Sequence, residues 1–286
     1  MTTTRVAVSR RNSLVVISVT CCVLLAALYL VAVQTSFGQR IDEAALSGRT
    51  RDSAVQQAVS RALDTVSLTS LVVATAALVL FALFRNRPRL AVGIAAMVAG
   101  ANLTTQILKD ALDRPHFEIP GVNSTVASFP SGHSTVAMSL ALALVIAVPP
   151  RVRVPVGIAG VAYAVVVGAA TLTGAWHRPS DVLGAYLVTL AWAAAVCAWL
   201  IVPRRSRALT VRSEGRARLL EGVVIAVTIL VVAAAIALGV DVLRDAELGH
   251  IEVGRAYVVG ILTITVGAAA AVGVLITALA NNDLNA

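Results

Sequence analysis

Apolar runs long enough to cross a lipid bilayer recur along the whole chain, and no other feature limits its fold as tightly. A spanning helix needs about 20 mostly apolar residues. Eight segments qualify: roughly 13–33, 67–84, 90–112, 133–149, 155–175, 181–202, 222–243 and 256–279. None shows the short apolar–polar alternation of a membrane barrel. In a bilayer every backbone N–H and C=O must find its partner inside the protein, so these runs predict helices. Charged residues make up only 13% of the chain, against about 25% in soluble domains, which excludes an ordinary soluble protein. Ala, Gly and Val dominate and aromatics are 4%, which suits close helix packing in lipid. The expected fold class is an all-α integral membrane protein of eight spans.

Orientation follows from the basic residues in the connections. With the N-terminus inside, the inner segments 1–12, 85–89, 150–154, 203–221 and 280–286 hold 14 of the 23 Lys and Arg residues. Of the other nine, Arg40, Arg49, Arg51 and Arg61 lie in segment 34–66, balanced there by Asp42, Glu43, Asp52 and Asp64. The bias predicts an N-in, C-in topology. The formal net charge is +8. A soluble domain this basic would suggest nucleic acid, but here the charges sit in short loops between spans, so no nucleic acid is expected. Segment 203–221 is the most basic stretch, read as an inner loop whose charge sets topology.

Segment 34–66 is long for a loop, and AVQQAVSRALDTV within it has the spacing of a surface helix. The first apolar run follows Arg10 and Arg11 as a signal peptide would, but it is longer than a signal core and no A-x-A site follows, so it is read as a retained span. Cys21, Cys22 and Cys197 lie inside apolar runs with no CxxC spacing, which points to neither a disulfide framework nor a Cys-ligated metal.

The chemistry collects at one face. The predicted topology puts all four histidines (His116, His133, His177 and His250) on the outer side, together with Lys109, the sole lysine. Three segments meet that boundary: KDALDRPH from Lys109 to His116, FPSGHS from Phe129 to Ser134, and WHRPSD from Trp176 to Asp181. Pro130-Ser131-Gly132 makes a turn into a helix whose first N–H groups and positive dipole end bind anions. Gly132 lets a ligand approach the backbone. Lys109 and Arg114 supply charge for phosphoryl oxygens. His177 and Asp181 are four apart around Pro179, a good first-turn residue, so the carboxylate reaches back to the imidazole and leaves the other ring nitrogen as nucleophile. His133 is the candidate proton donor. Asn102 and Gln106 are read as hydrogen bonders between helices, Asn123-Ser124-Thr125 as a chance sequon, and His250 as a solvated loop residue.

Together these segments resemble the three signature motifs of the type 2 phosphatidic acid phosphatase family, within the acid phosphatase and vanadium haloperoxidase superfamily. The P-S-G-H string is intact at Pro130–His133, and the H-x-x-x-D string at His177 to Asp181. The resemblance covers about residues 67–202 and implies a six-helix phosphatase-like core in residues 1–202, with 222–286 as a C-terminal two-span appendage. Two positions depart from the family pattern. The first motif normally reads Lys, six residues, Arg-Pro; here Arg114-Pro115 comes two residues early and His116 stands in the Arg place. The third normally begins Ser-Arg, but Ala170 and Thr171 stand there, so its phosphate-binding arginine is missing. Arg178 and His116 are the candidates to replace it. One lost charged contact costs about 1.5–3 kcal/mol.

The resemblance implies a metal-independent hydrolase without a cofactor. His177 would attack phosphorus to form a phosphohistidine, Asp181 would orient it, and His133 would protonate the leaving oxygen. Lys109, Arg114, Ser131, Gly132, Arg178 and His116 would hold the phosphate. The expected substrate is a lipid phosphate (polyprenyl diphosphate, phosphatidylglycerol phosphate or phosphatidate) met at the outer face of a bacterial plasma membrane. The alternatives are a phosphotransferase on the same scaffold and a non-catalytic lipid-phosphate binder or transporter. The oligomeric state is open.

Overall fold

A computed structural model describes residues 2–117, 129–201, 242–244 and 252–279, and all regular structure among them is helical. Helix α1 (Thr2–Leu28) continues into a π-helical turn at Tyr29–Val33. Then come α2 (Ser36–Ser47), α3 (Ser53–Asp64), α4 (Leu68–Phe84), α5 (Pro88–Ala111) and α6 (Gly132–Ala147). A short 3-10 turn leads into α7 (Arg153–Thr173), followed by α8 (Pro179–Leu200) and α9 (Val253–Ala278).

Five stretches are long and apolar enough to cross a membrane: Arg11–Val33, α5, Pro150–Thr173, α8 and α9. Helices α3 and α4 pass the same test as a pair bent by 47°, which gives up to six. Helix α6 is apolar but has only 16 residues, about 24 Å at 1.5 Å per residue. Pro149 and Pro150 stop it: neither supplies a helical N–H, and Val148 before them is extended, as a residue preceding proline prefers. Most of segment 222–243, the 203–221 loop, Asn123 and His250 lie outside the described residues.

Local chemistry sets the helix starts. Pro88 and Pro179 occupy first turns, where a missing N–H costs nothing. Ser67 and Ser70 cap α4 reciprocally. Asp52 caps α3 by accepting the Ala54 and Val55 N–H groups. Segment 34–66 holds more order than its sequence suggests. The surface helix expected there is α3, but α2 precedes it, and the mixed charges of SFGQRIDEAALS concealed it. Its buried face carries Gln39 and Asp42 beside Ala44, Ala45 and Leu46.

Helix α8 is the most enclosed of the candidate spans and α1 the least. The core joins Met97 of α5, Met138 and Leu142 of α6, Leu172 of α7, and Tyr186 and Leu190 of α8. Ile264, Ala268 and Leu275 of α9 belong to the same core, so the C-terminal region contributes to the main bundle. Glycines set the spacing: a Cβ on Gly100 would stand 2.7 Å from the Trp192 ring, and one on Gly168 2.7 Å from the Tyr186 hydroxyl. Asn102 donates across to Ser139 at 3.3 Å.

Helices α5 and α8 run in opposite directions, as do α7 and α9. Gly93 of α5 packs on Val196 and Leu200 at the far end of α8, and Arg153 of α7 donates to the Leu279 carbonyl after α9. The opposite end therefore gathers the last turns of α5 and α7 with the first turns of α6, α8 and α9.

Candidate active site

All three sequence motifs meet at this end. Lys109 lies in the last turn of α5. Its Nζ stands 3.5 Å from the point a Cβ on Gly132 would occupy, with Gln106 Nε2 at 3.8 Å. The bare backbone of Gly132 thus leaves an opening between the ammonium and the start of α6. Ser131 caps that helix, its hydroxyl accepting the Ser134 N–H at 3.3 Å. The N–H groups of Gly132 and His133 make no hydrogen bond among the described residues. Unpaired first-turn donors of this kind bind anions.

His133, in the same turn, meets the Trp176 ring edge-on with centroids 5.1 Å apart. It thereby neighbours the turn that bears His177, while Gly132 beside it faces the Lys109 ammonium. His177 is buried, and its Nδ1 lies 3.5 Å from Asp181 Oδ2, at ion-pair distance but without hydrogen-bond geometry. The same oxygen accepts the Arg178 N–H at 2.9 Å, so Asp181 caps its own helix while facing the imidazole. A carboxylate in a first turn is favoured by the helix dipole. The Asp181 carbonyl accepts the Ser131 N–H at 2.9 Å, which joins the second motif to the third.

The turn that delivers His177 is strained. Ala175 sits at φ 60°, a left-handed conformation that costs an L-residue about 1–2 kcal/mol. The Trp176 and His177 N–H groups both reach the Thr171 carbonyl, at 2.9 and 3.1 Å. Thr171, where the family pattern has arginine, is fully buried and its hydroxyl turns back to the Gly168 carbonyl.

The two arginines of the motifs are both committed. Arg178, a phosphate-binding candidate by sequence, is buried with its Nε 3.0 Å and its NH2 2.9 Å from Glu43 Oε2. Arg114 places NH2 3.4 Å from Asp181 Oδ1 and 3.8 Å from Asp42 Oδ2. His116 is exposed and forms no hydrogen bond or ion pair among the described residues. The structure thus brings Lys109, Arg114, Ser131, Gly132, His133, His177 and Asp181 together, leaves His116 at the surface, and engages Arg178 with a carboxylate.

That carboxylate belongs to a layer the sequence did not reveal. Asp42 accepts both the N–H and the hydroxyl of Ser180. Burial, with the Asp181 charge second, pushes the Asp42 carboxyl up to about 6, against the pull of Ser180 and Arg114. Tyr29 and Gln34 hold the Asp113 carbonyl at 2.7 and 2.8 Å, and Gln39 holds that of Pro115 at 2.9 Å, which pins the segment bearing Arg114. Sequence offered one signal, that Asp42 and Glu43 are adjacent acids in a chain with few. It read them as balancing nearby arginines. Beside the same end an open cleft of about 260 Å³ is lined by Arg49, Thr50, Arg51, Gln56, Gly174 and Ala175.

An apolar helical bundle of membrane type, with imidazoles, an ammonium and free helix-terminal N–H groups at one end, has the makings of a phosphate-handling membrane protein. Residues 90–200 match the family model of the PAP2 superfamily, consistent with a type 2 phosphatidic acid phosphatase family member. The match runs from α5 to the end of α8 and contains all three motifs, but neither α2 nor α9. A domain of this superfamily implies phosphoric ester hydrolysis on lipid-like phosphates, which the apolar helices fit. No curated protein and no solved structure matches the chain.

Proposed function

We propose that this protein is a membrane lipid phosphatase acting on a lipid phosphate monoester or diphosphate at the outer membrane face. The observation that carries it is the placing of Lys109 Nζ against the first turn of α6, with the Ser131 N–H bonded to the Asp181 carbonyl so that the turns bearing His133 and His177 adjoin. Asp181 lies beside Nδ1 of His177, so Nε2 is the nitrogen left for phosphorus. Its lone pair forms the N–P bond as the P–O bond to the leaving group breaks, and His133 gives its proton to the departing oxygen. Water then attacks phosphorus, His133 takes a proton from it, and the N–P bond breaks. Lys109 and the N–H groups of Gly132 and His133 hold the phosphoryl oxygens where charge builds up. Arg114 supplies positive potential from behind Asp181, and Arg178 fixes the start of α8 through Glu43. Arg49 and Arg51 draw an anionic headgroup towards this end.

The test is release of inorganic phosphate by the purified protein from polyprenyl diphosphate, phosphatidylglycerol phosphate and phosphatidate in EDTA. Turnover with a trapped phosphohistidine supports the assignment. A strict metal requirement, or no turnover on any of the three, defeats it. One observation favours a second reading. With Thr171 in the arginine place and Arg178 held by Glu43, the pocket is poorer in cations than the family pattern, as suits a non-catalytic lipid-phosphate binder. Such a protein would bind the same lipids and never yield phosphohistidine.

A further inference from the structure

We propose that Asp42 of α2 is a positioning residue for this site, setting the first turn of α8 and holding Arg114 partly away from Asp181, so that Asp181 serves His177. This rests on the phosphatase reading above, but it concerns a residue outside the PAP2 match.

Asp42 is one of two buried carboxylates facing a single guanidinium. Arg114 lies between them, its NH2 donating a long hydrogen bond of 3.4 Å to Asp181 Oδ1 and standing 3.8 Å, ion-pair distance, from Asp42 Oδ2. Asp181 already answers the Arg178 N–H and faces the His177 imidazole. If Arg114 closed fully on Asp181, it would neutralise the carboxylate that orients the imidazole. Asp42 supplies the competing charge. It also binds Ser180, the residue between Pro179 and Asp181, through backbone and side chain together, which fixes where Asp181 stands. Two other charges on these helices, Glu43 of α2 and Arg178 of α8, engage each other.

Asp42 has a folded-state value of about 6 against 3.8, so the folded protein holds this proton more tightly than the unfolded chain. Its contribution to stability therefore grows as pH falls from above 6 towards 4, and its charged form burdens the fold at pH 8. A neutral isostere should then stabilise the protein at pH 8 while slowing it, an outcome a merely structural role does not give.

The experiment uses the full chain, wild type beside Asp42→Asn and Asp42→Ala, with a lipid phosphate that the wild type hydrolyses. Asp42→Asn keeps an acceptor for Ser180 and removes the charge; Asp42→Ala removes both. Both should lose kcat by about 10- to 100-fold, the scale of a slight misplacement of reacting groups, with KM nearly unchanged. Asp42→Asn should melt higher than wild type at pH 8, and the acid limb of its rate profile should be less steep by one proton. If Asp42→Asn keeps the wild-type kcat and acid limb, the proposal is overturned, and a fall in Asp42→Ala alone would reduce Asp42 to a prop for Ser180. If wild type turns over no lipid phosphate, the phosphatase reading falls and takes this one with it.

Discussion

At the end of the bundle away from the site, Arg85 lies over the Phe81 ring at 5.5 Å and Arg89 over Trp199 at 5.2 Å, both exposed. At the site end, Arg114 and Arg178 have side chains only 3% and 5% exposed, each against carboxylates. One residue type thus does two jobs. An exposed arginine resting on a ring keeps its hydration and gains about 0.5–1 kcal/mol, and it can be lost cheaply. A buried one has given up its water and depends on its carboxylates, so leaving it with none of them costs about 3–5 kcal/mol. The site end is tuned by charge matching, the other end by anchoring.

The most severe break in this contrast is His177→Ala, which should lower turnover by about 10³-fold or more while leaving the melting curve near wild type. Phosphate release and thermal unfolding on the same preparation check both halves. Next comes Arg114→Gln, which leaves Asp42 and Asp181 facing each other. It should destabilise by about 3–5 kcal/mol at pH 8 and by less near pH 5, where Asp42 takes up a proton, as denaturation at the two pH values will read. Glu43→Gln should cost about 3 kcal/mol by taking its carboxylate from the buried Arg178, and Glu43→Gln with Arg178→Met should recover most of it. Arg89→Ala, at the other end, should stay within about 1 kcal/mol with unchanged turnover. The smallest effect is at the strained turn: Ala175→Gly should be neutral or stabilising by up to about 1 kcal/mol, since relief of the left-handed strain is offset by unfolded-chain entropy.

The long helices were legible because their signal is local. Runs of spanning length predicted α4, α5, α7, α8 and α9 close to their observed bounds, and AVQQAVSRALDTV predicted α3. The second and third motifs were legible for a related reason: Pro130 to His133 and His177 to Asp181 each carry their geometry within about one turn, so spacing in sequence is spacing in space. Helix α2 was hidden because its buried face mixes polar Gln39 and Asp42 with the apolar Ala44, Ala45 and Leu46. Asp42 and Gln39 are buried by partners 138 and 76 residues away, Ser180 and Pro115, and no local pattern encodes such a partner. The fate of Arg178 was hidden likewise. Its sequence neighbours suggested a phosphate ligand, while Glu43, which holds it, is 135 residues distant.

The Ser131 N–H donates a hydrogen bond to the carbonyl of Asp181. That one bond couples the turn bearing His133 to the turn bearing His177, so the two rings ride on a common rigid hub. Helices in a bilayer tilt and slide as thickness and lipid composition vary, yet hub-mounted groups keep their mutual distance while the bundle breathes around them. An enzyme built this way would hold its chemistry constant across membranes that deform the rest of it.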